Sequence, residues 1–383
     1  MTRTGTVFER MGIRPVINAS GIYTDLGGSR LSPGVWGAMT EVNDQFVKLA
    51  DLLDGSGRLI AGRLGAEAAW VTPGAAASIA LMVSAAMTGG DGAAGQRLPD
   101  TAGLKNEIVL QRNHRYKYDR QITMTGAKLV IAGGAGGTTE AEVEAAIGPN
   151  TAALFLPAHL DRSAGTVGLA RLVAVGRSHG IPVLVDAAYL CWPLELMPSH
   201  IAAGADLVCF SAKYFGGPNA GGFIAGSRRM IDWVSVNGFL RYESGPYRTF
   251  GRPLKMDRQT IVGVVVALEE WLALDHSERW ARYRRQVAEL ADLIGGIPGI
   301  SSEPKYFTMD ERLVPEPVNS LVVTVPSVGR RTAQSVAAAL EAGSPSISCS
   351  AEGSTLIVCM DVLRDEEIPI IGAALRALLE PNE

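Results

Sequence analysis

The chain alternates between short unbroken apolar runs and longer stretches in which apolar residues recur at helical spacing. The runs lie at 68–72, 108–111, 128–132, 152–156, 183–185, 207–210 and 223–225 and are built mostly of Val, Ile, Leu and Ala. They show no polar alternation, so each predicts a strand covered on both faces, as in the middle of a parallel sheet. Between them, 75–87 and 169–179 carry strong helix formers. Strand following helix in this order predicts an α/β fold, a mostly parallel sheet with helices on both faces. Past residue 257 the pattern changes. A long helix over 257–274 leads to a second one whose Arg279, Arg282, Arg284 and Arg285 read as a solvated face. Strand-like runs at 320–325, 346–349 and 355–359 then predict a smaller α+β C-terminal domain. The expected division is an arm over 1–55, a large domain over 56–257, and a linking helix with the small domain over 258–383.

Two successive strands end on chemistry. The run at 183–185 delivers Asp186, and the run at 207–210 delivers Ser211 and Lys213. Taken singly, an Asp at a strand end is ordinarily a helix cap and a lysine there a surface group. Together, beyond the carboxyl ends of neighbouring parallel strands, they occupy the part of an open sheet where ligands collect. The glycines around Pro218 (Gly216, Gly217, Gly221, Gly222) leave little side-chain bulk, so backbone can approach a ligand. An amine paired with a carboxylate suits pyridoxal 5′-phosphate (PLP). Lysine forms a Schiff base with its aldehyde, and the acid keeps its ring nitrogen protonated.

Other strand ends offer further candidates. After 68–72 the chain reads Pro73-Gly74-Ala75-Ala76-Ala77-Ser78, a helix start almost free of side chains. Such a start either packs closely on a sheet or binds an anion through its unpaired amides. His114, Tyr116 and Tyr118 follow the strand at 108–111, and His159 follows that at 152–156. The glycine-rich stretch 133–137 lacks the third glycine of a dinucleotide fingerprint and reads as a turn before a helix with a capping box, Thr139 and Glu142.

The segments INASGIYTDLGGS, PVLVDAAY, FSAKYFGGPNAG and GRPLKMDRQTIVG resemble the fold-type I PLP enzymes of the class V aminotransferase group. The likeness is strongest to the selenocysteine synthase (seryl-tRNA(Sec) selenium transferase)-like branch, which includes enzymes of the D-glucosaminate-6-phosphate ammonia-lyase type. The resemblance implies a seven-stranded-type sheet and a cofactor phosphate at Gly74, Ala75, Ala76 and Ser78. It also implies a ring stacked on the cofactor, with His114 foremost and Tyr116 or Tyr118 as alternatives, and His159, Asp186, Ser211 and Lys213 around it. Catalysis would then rest on Lys213, Asp186 and His114. The small-domain arginine that holds a substrate carboxylate in many relatives has no counterpart in Pro345–Ser350, so Arg252, Lys255 or Arg364 is expected to substitute, with Tyr116 a further substrate contact. The implied reaction is loss of a β-substituent and ammonia. A racemase, epimerase or aminotransferase is the alternative, and a tRNA-linked selenium transferase a third class. A homodimer or larger homo-oligomer is expected.

Composition narrows this further. With 47% hydrophobic and only 19% charged residues among 383, the chain can bury a large sheet. A net charge of −4 argues against a nucleic-acid partner. The four cysteines lack CxxC spacing, which predicts reduced thiols, a cytoplasmic setting and no metal site. The N-terminus has no apolar core and so is not read as a signal peptide. The most apolar helical run is interrupted by Glu269 and Glu270, so no membrane span is expected.

Overall fold

The computed structural model describes residues 6–327 and 331–380. The first five residues of the expected arm, and the last three of the expected small domain, lie outside the described residues. Two compact units divide the chain, Ser29–Ala273 and a second made of Met1–Gly28 with Leu274–Glu383. The helix Arg258–Ala273 thus belongs to the larger unit, and the first 28 residues group with the C-terminal one, a different partition from the three successive segments expected.

The larger unit is built on seven strands: β1 (Ala68–Thr72), β2 (Glu107–Gln111), β3 (Lys128–Ala132), β4 (Thr151–Pro157), β5 (Val183–Asp186), β6 (Leu207–Ser211) and β7 (Gly222–Gly226). Their spatial order is β1-β7-β6-β5-β4-β2-β3. All pairs are parallel except those of β7, which runs antiparallel to β1 and β6. The sheet is therefore mixed but mostly parallel. Strands β1, β4, β5, β6 and β7 are buried along their whole length, as their unbroken apolar runs require. The helix Ala75–Thr88 is buried nearly all round, which its small residues permit.

Local chemistry accounts for most boundaries. Thr139 and Glu142 form the expected reciprocal cap of the helix Glu140–Ala145. The glycine-rich turn before it presses on Gly165, and a Cβ on Gly137 would meet the Gly165 carbonyl oxygen at 2.6 Å. Two further short helices lie in connecting stretches. Asp91 Oδ1 accepts the Ala93 amide at 2.8 Å and starts the helix Gly92–Arg97, and Phe239–Ser244 forms a second short helix.

In the C-terminal unit a five-stranded antiparallel sheet has the order Leu313–Val314, Ser301–Phe307, Ser320–Thr324, Thr355–Cys359, Ser350–Glu352. The N-terminal strand Val16–Asn18 pairs in parallel with Ser346–Ser348. Helices His276–Ile294, Ala333–Ala342 and Ile368–Leu379 complete this unit. No helix among the described residues is long and apolar enough to cross a membrane.

The helix Leu49–Leu64 crosses β1 at Gly57, where an added Cβ would lie 2.2 Å from the Ala69 carbonyl oxygen. Backbone cannot yield as a flexible side chain can, so Gly57→Ala should destabilise the protein by about 1–3 kcal/mol. A thermal melt of the variant beside the parent checks this. An unchanged melting temperature would mean that helix and strand are not held so closely.

Candidate active site

The ends of β5 and β6 fix the first two groups. Asp186 pairs with Cys209 across the two parallel strands, and the amide of Ala187 donates to the Cys209 carbonyl at 3.1 Å. One step on, the Ser211 amide donates to the Ala188 carbonyl at 2.9 Å, so the strands stay tied past the point where the sheet opens. Lys213 follows in the 3₁₀ turn Ala212–Phe215, with its Nζ 4.8 Å from the Tyr214 ring centroid. Gly216, at φ 79°, closes that turn in the left-handed region. The Ser29 hydroxyl donates to the Gly217 carbonyl at 2.9 Å and anchors it. Asp186 is 4% exposed and Lys213 8%. Neither fits the surface group or helix cap it would ordinarily be.

The Asp186 carboxylate is held by three donors. Tyr116 Oη donates to Oδ2 at 2.6 Å, the Ala188 amide to Oδ1 at 3.0 Å, and the Cys209 thiol to Oδ1 at 3.6 Å. Burial pushes the carboxyl above the usual carboxylate range, and the hydrogen bonds from Tyr116 and Ala188 pull it back. The Tyr116 phenol is driven far above its ordinary value by burial and by the Asp186 charge, so it stays protonated and donates.

Aromatic rings line this part of the unit. The His159 ring lies between Tyr116, at 5.6 Å, and Tyr189, at 5.4 Å, and Tyr189 meets Tyr214 at 5.9 Å. The series runs from the residue that touches Asp186 to the neighbour of Lys213.

His114 differs from its expected role. It is fully buried, its Nε2 3.1 Å from the Leu160 carbonyl and its Nδ1 3.3 Å from Gln111 Nε2. Gln111 in turn brackets Val167, donating to its carbonyl at 2.8 Å and accepting from its amide at 2.6 Å. Burial lowers the pKa of the imidazole, which favours the neutral ring. Both ring nitrogens of His114 thus tie the loops after β2 and β4 together. Ser78 also departs from expectation. It is fully buried, shares a 2.7 Å hydrogen bond with the Thr72 hydroxyl, and donates to the Gly74 carbonyl at 3.1 Å. Its hydroxyl locks the turn from inside.

That turn is well shaped for an anion. Gly74 sits at φ 95°, and no side chain caps the helix that starts at Ala75. The amides of the first turn have no intrahelical acceptor. On β7, a Cβ at Gly222 would lie 2.5 Å from the Phe210 carbonyl oxygen and 2.9 Å from Gly74 Cα. Only glycine lets β6, β7 and the helix start come so close. A buried acid, a buried amine and a bare helix start, all at the carboxyl-end side of one sheet, fit the ring nitrogen, aldehyde and phosphate of PLP.

The expected substrate-binding cations are placed as follows. Arg252 is ion-paired with Glu243, and Lys255 is exposed. Arg364, in the C-terminal unit, lies 3.6 Å from Glu366. Sequence reasoning missed the Tyr116–Asp186 bond and Cys209 as a donor. The register of β5 against β6 would have indicated the second. Among the described residues, no group of acidic, histidine or cysteine side chains could hold a metal ion.

The sequence pattern of the Beta-eliminating lyase family matches residues 72–309, more than half of the chain. A 5′-C-glycyluridine monooxygenase-decarboxylase from a Streptomyces species is 32% identical over 355 residues, covering 90% of this chain and 85% of that protein. The D-glucosaminate-6-phosphate ammonia lyase of Salmonella typhimurium is 31% identical over 306 residues, 78% of each chain. An L-seryl-tRNA(Sec) selenium transferase from Geobacter metallireducens is 30% identical, but over only 58% of its own length. Among solved structures, a D-glucosaminate-6-phosphate ammonia-lyase superposes with a TM-score of 0.84 at 28% identity, covering 98% of this chain and 99% of that one. The ureidoglycine-glyoxylate aminotransferase of Bacillus subtilis, at 0.55 and 14%, shares the fold alone. The chain thus belongs to the Beta-eliminating lyase family and is a fold-type I, PLP-dependent lyase.

Proposed function

We propose that Lys213 is the amine that holds the cofactor aldehyde, that Asp186 faces the ring nitrogen, and that the amides at Gly74, Ala75 and Ala76 receive the phosphate. His159, bracketed by Tyr116 and Tyr189, is assigned the ring contact in place of His114. The cofactor, when bound, supplies a ring that withdraws negative charge from a substrate α-carbon. The observation that carries this reading is the buried acid and buried amine at the carboxyl ends of adjacent parallel strands. Asp186, whose charged form its three donors favour against burial, would hold a proton at the ring nitrogen. Lys213, buried at the end of the neighbouring strand, would be the group that takes a proton from the substrate α-carbon.

The substrate class is an amino acid or amino-sugar acid bearing a β-leaving group, with ammonia and a keto acid as products. The two ammonia-lyase likenesses support this. A second reading, oxidative decarboxylation of an amino-acid-like group, draws on the Streptomyces relative, which matches 90% of the chain. We also propose a homodimer, since Trp36, Phe46, Val47 and Leu59 of the larger unit leave large apolar side chains exposed. The four unpaired cysteines favour a cytoplasmic setting.

Purified protein loaded with PLP should release ammonia and a keto acid, with no added keto-acid acceptor, from some member of a panel of β-hydroxy amino acids and 2-amino sugar acids. Lys213→Ala should lower that rate on the order of 10³-fold. Oxygen uptake with release of carbon dioxide would favour the second reading, and recovery of racemised substrate alone would contradict both.

Asp186 also makes a stability prediction. Its folded pKa is raised, so its contribution to stability is fully present below the unfolded pKa and is lost as pH rises through the folded value. Cofactor-free Asp186→Asn should therefore melt at the same or a higher temperature than the parent near neutral pH. The gap should close as pH falls below the ordinary carboxylate range, while PLP affinity drops. Paired melts across pH check this, and a variant clearly less stable at neutral pH would contradict it.

A further inference from the structure

We infer that Tyr116 is a positioning residue that sets how strongly the cofactor ring can draw electrons, acting through Asp186. The inference rests on the reading that Asp186 meets the ring nitrogen. It goes beyond that reading in assigning a tuning role to a residue whose hydrogen bond runs to the Asp186 carboxylate.

A carboxylate has about four lone-pair positions on its two oxygens. In Asp186, Oδ1 receives the Ala188 amide and the Cys209 thiol, and Oδ2 receives the Tyr116 hydroxyl. Three positions are taken, which leaves Oδ2 room for one more donor in its plane, the ring N–H. At 2.6 Å the Tyr116 bond is the shortest of the three, as expected of a hydroxyl donating to an ionised oxygen.

The balance of charge follows. In a site shielded from water, an acid beside a pyridine nitrogen has two arrangements. Either the proton stays on nitrogen and the acid is charged, or it moves to oxygen and both groups are neutral. Burial favours the neutral arrangement. Each hydrogen bond donated to the carboxylate favours the charged one, because it stabilises negative oxygen more than a protonated oxygen. A ring that keeps its proton is the stronger electron sink. Ala188 and Cys209 both act on Oδ1. Tyr116 acts on Oδ2, the oxygen left for the ring, so its effect on the shared proton is the most direct. The Tyr116–Tyr118 and Tyr116–His159 ring contacts, both at 5.6 Å, hold the phenol in line.

The test uses PLP labelled with nitrogen-15 in the ring and bound to the full chain, with ring-nitrogen resonance as readout. In Tyr116→Phe the resonance should move toward that of unprotonated pyridine, and PLP affinity should fall about ten-fold, the range for loss of a hydrogen bond to a charged group. Tyr116 replaced by a ring-fluorinated tyrosine, a stronger donor of nearly the same shape, should move the resonance the opposite way. That second variant keeps the test decisive if the phenylalanine variant folds poorly. A resonance unmoved by either substitution would overturn the inference while leaving Asp186 in its role. If Asp186→Ala also leaves the resonance unmoved, the underlying assignment of Asp186 falls as well.

Discussion

A carboxylate shielded from water at the end of a parallel strand is the constraint on which this site depends. Left alone, Asp186 would take up a proton, because burial penalises its charge. The fold counters this with three donors from three places: the loop after β2, the backbone just past β5, and the neighbouring strand β6. A buried charge is costly, and hydrogen bonds from several directions offset part of that cost. On the function proposed above, this charge would be the counter-charge for a bound ring.

The remainder of the larger unit serves to bring partners to that charge. Parallel pairing of β5 with β6 sets Lys213 one short turn beyond the strand next to Asp186. The antiparallel β7 then returns the chain beside β1, where Gly222 meets Gly74. This close approach needs glycine, and it leaves the first amides of the helix Ala75–Thr88 clear of side chains. The places of the acid, the amine and the bare helix start thus follow from one sheet order and two glycines.

Much of this was legible in the sequence because it is local. Unbroken apolar runs predict covered strands, and the polar residue that ends each run falls at the sheet's carboxyl edge, as Asp186 and Lys213 do. Long-range relations were not legible. Tyr116 and Asp186 are 70 residues apart, and nothing in either segment announces the bond. His114 and His159 both follow a strand, and sequence alone favoured His114. The deciding contacts, Leu160 and Gln111 on the His114 ring, come from a neighbouring loop and the end of the preceding strand. The strand Ser301–Phe307 escaped notice because most of it is exposed and polar, so it lacks the apolar signature. Gly57, which reads as a weak point in a helix, is explained only by β1 passing beneath it.

The central claim, that Lys213 carries the cofactor opposite Asp186, is tested most directly by borohydride reduction of the PLP-loaded protein followed by peptide mapping. The account predicts one pyridoxyl label, on the peptide containing Lys213. A label on any other lysine, or none on a protein that binds PLP, would contradict it.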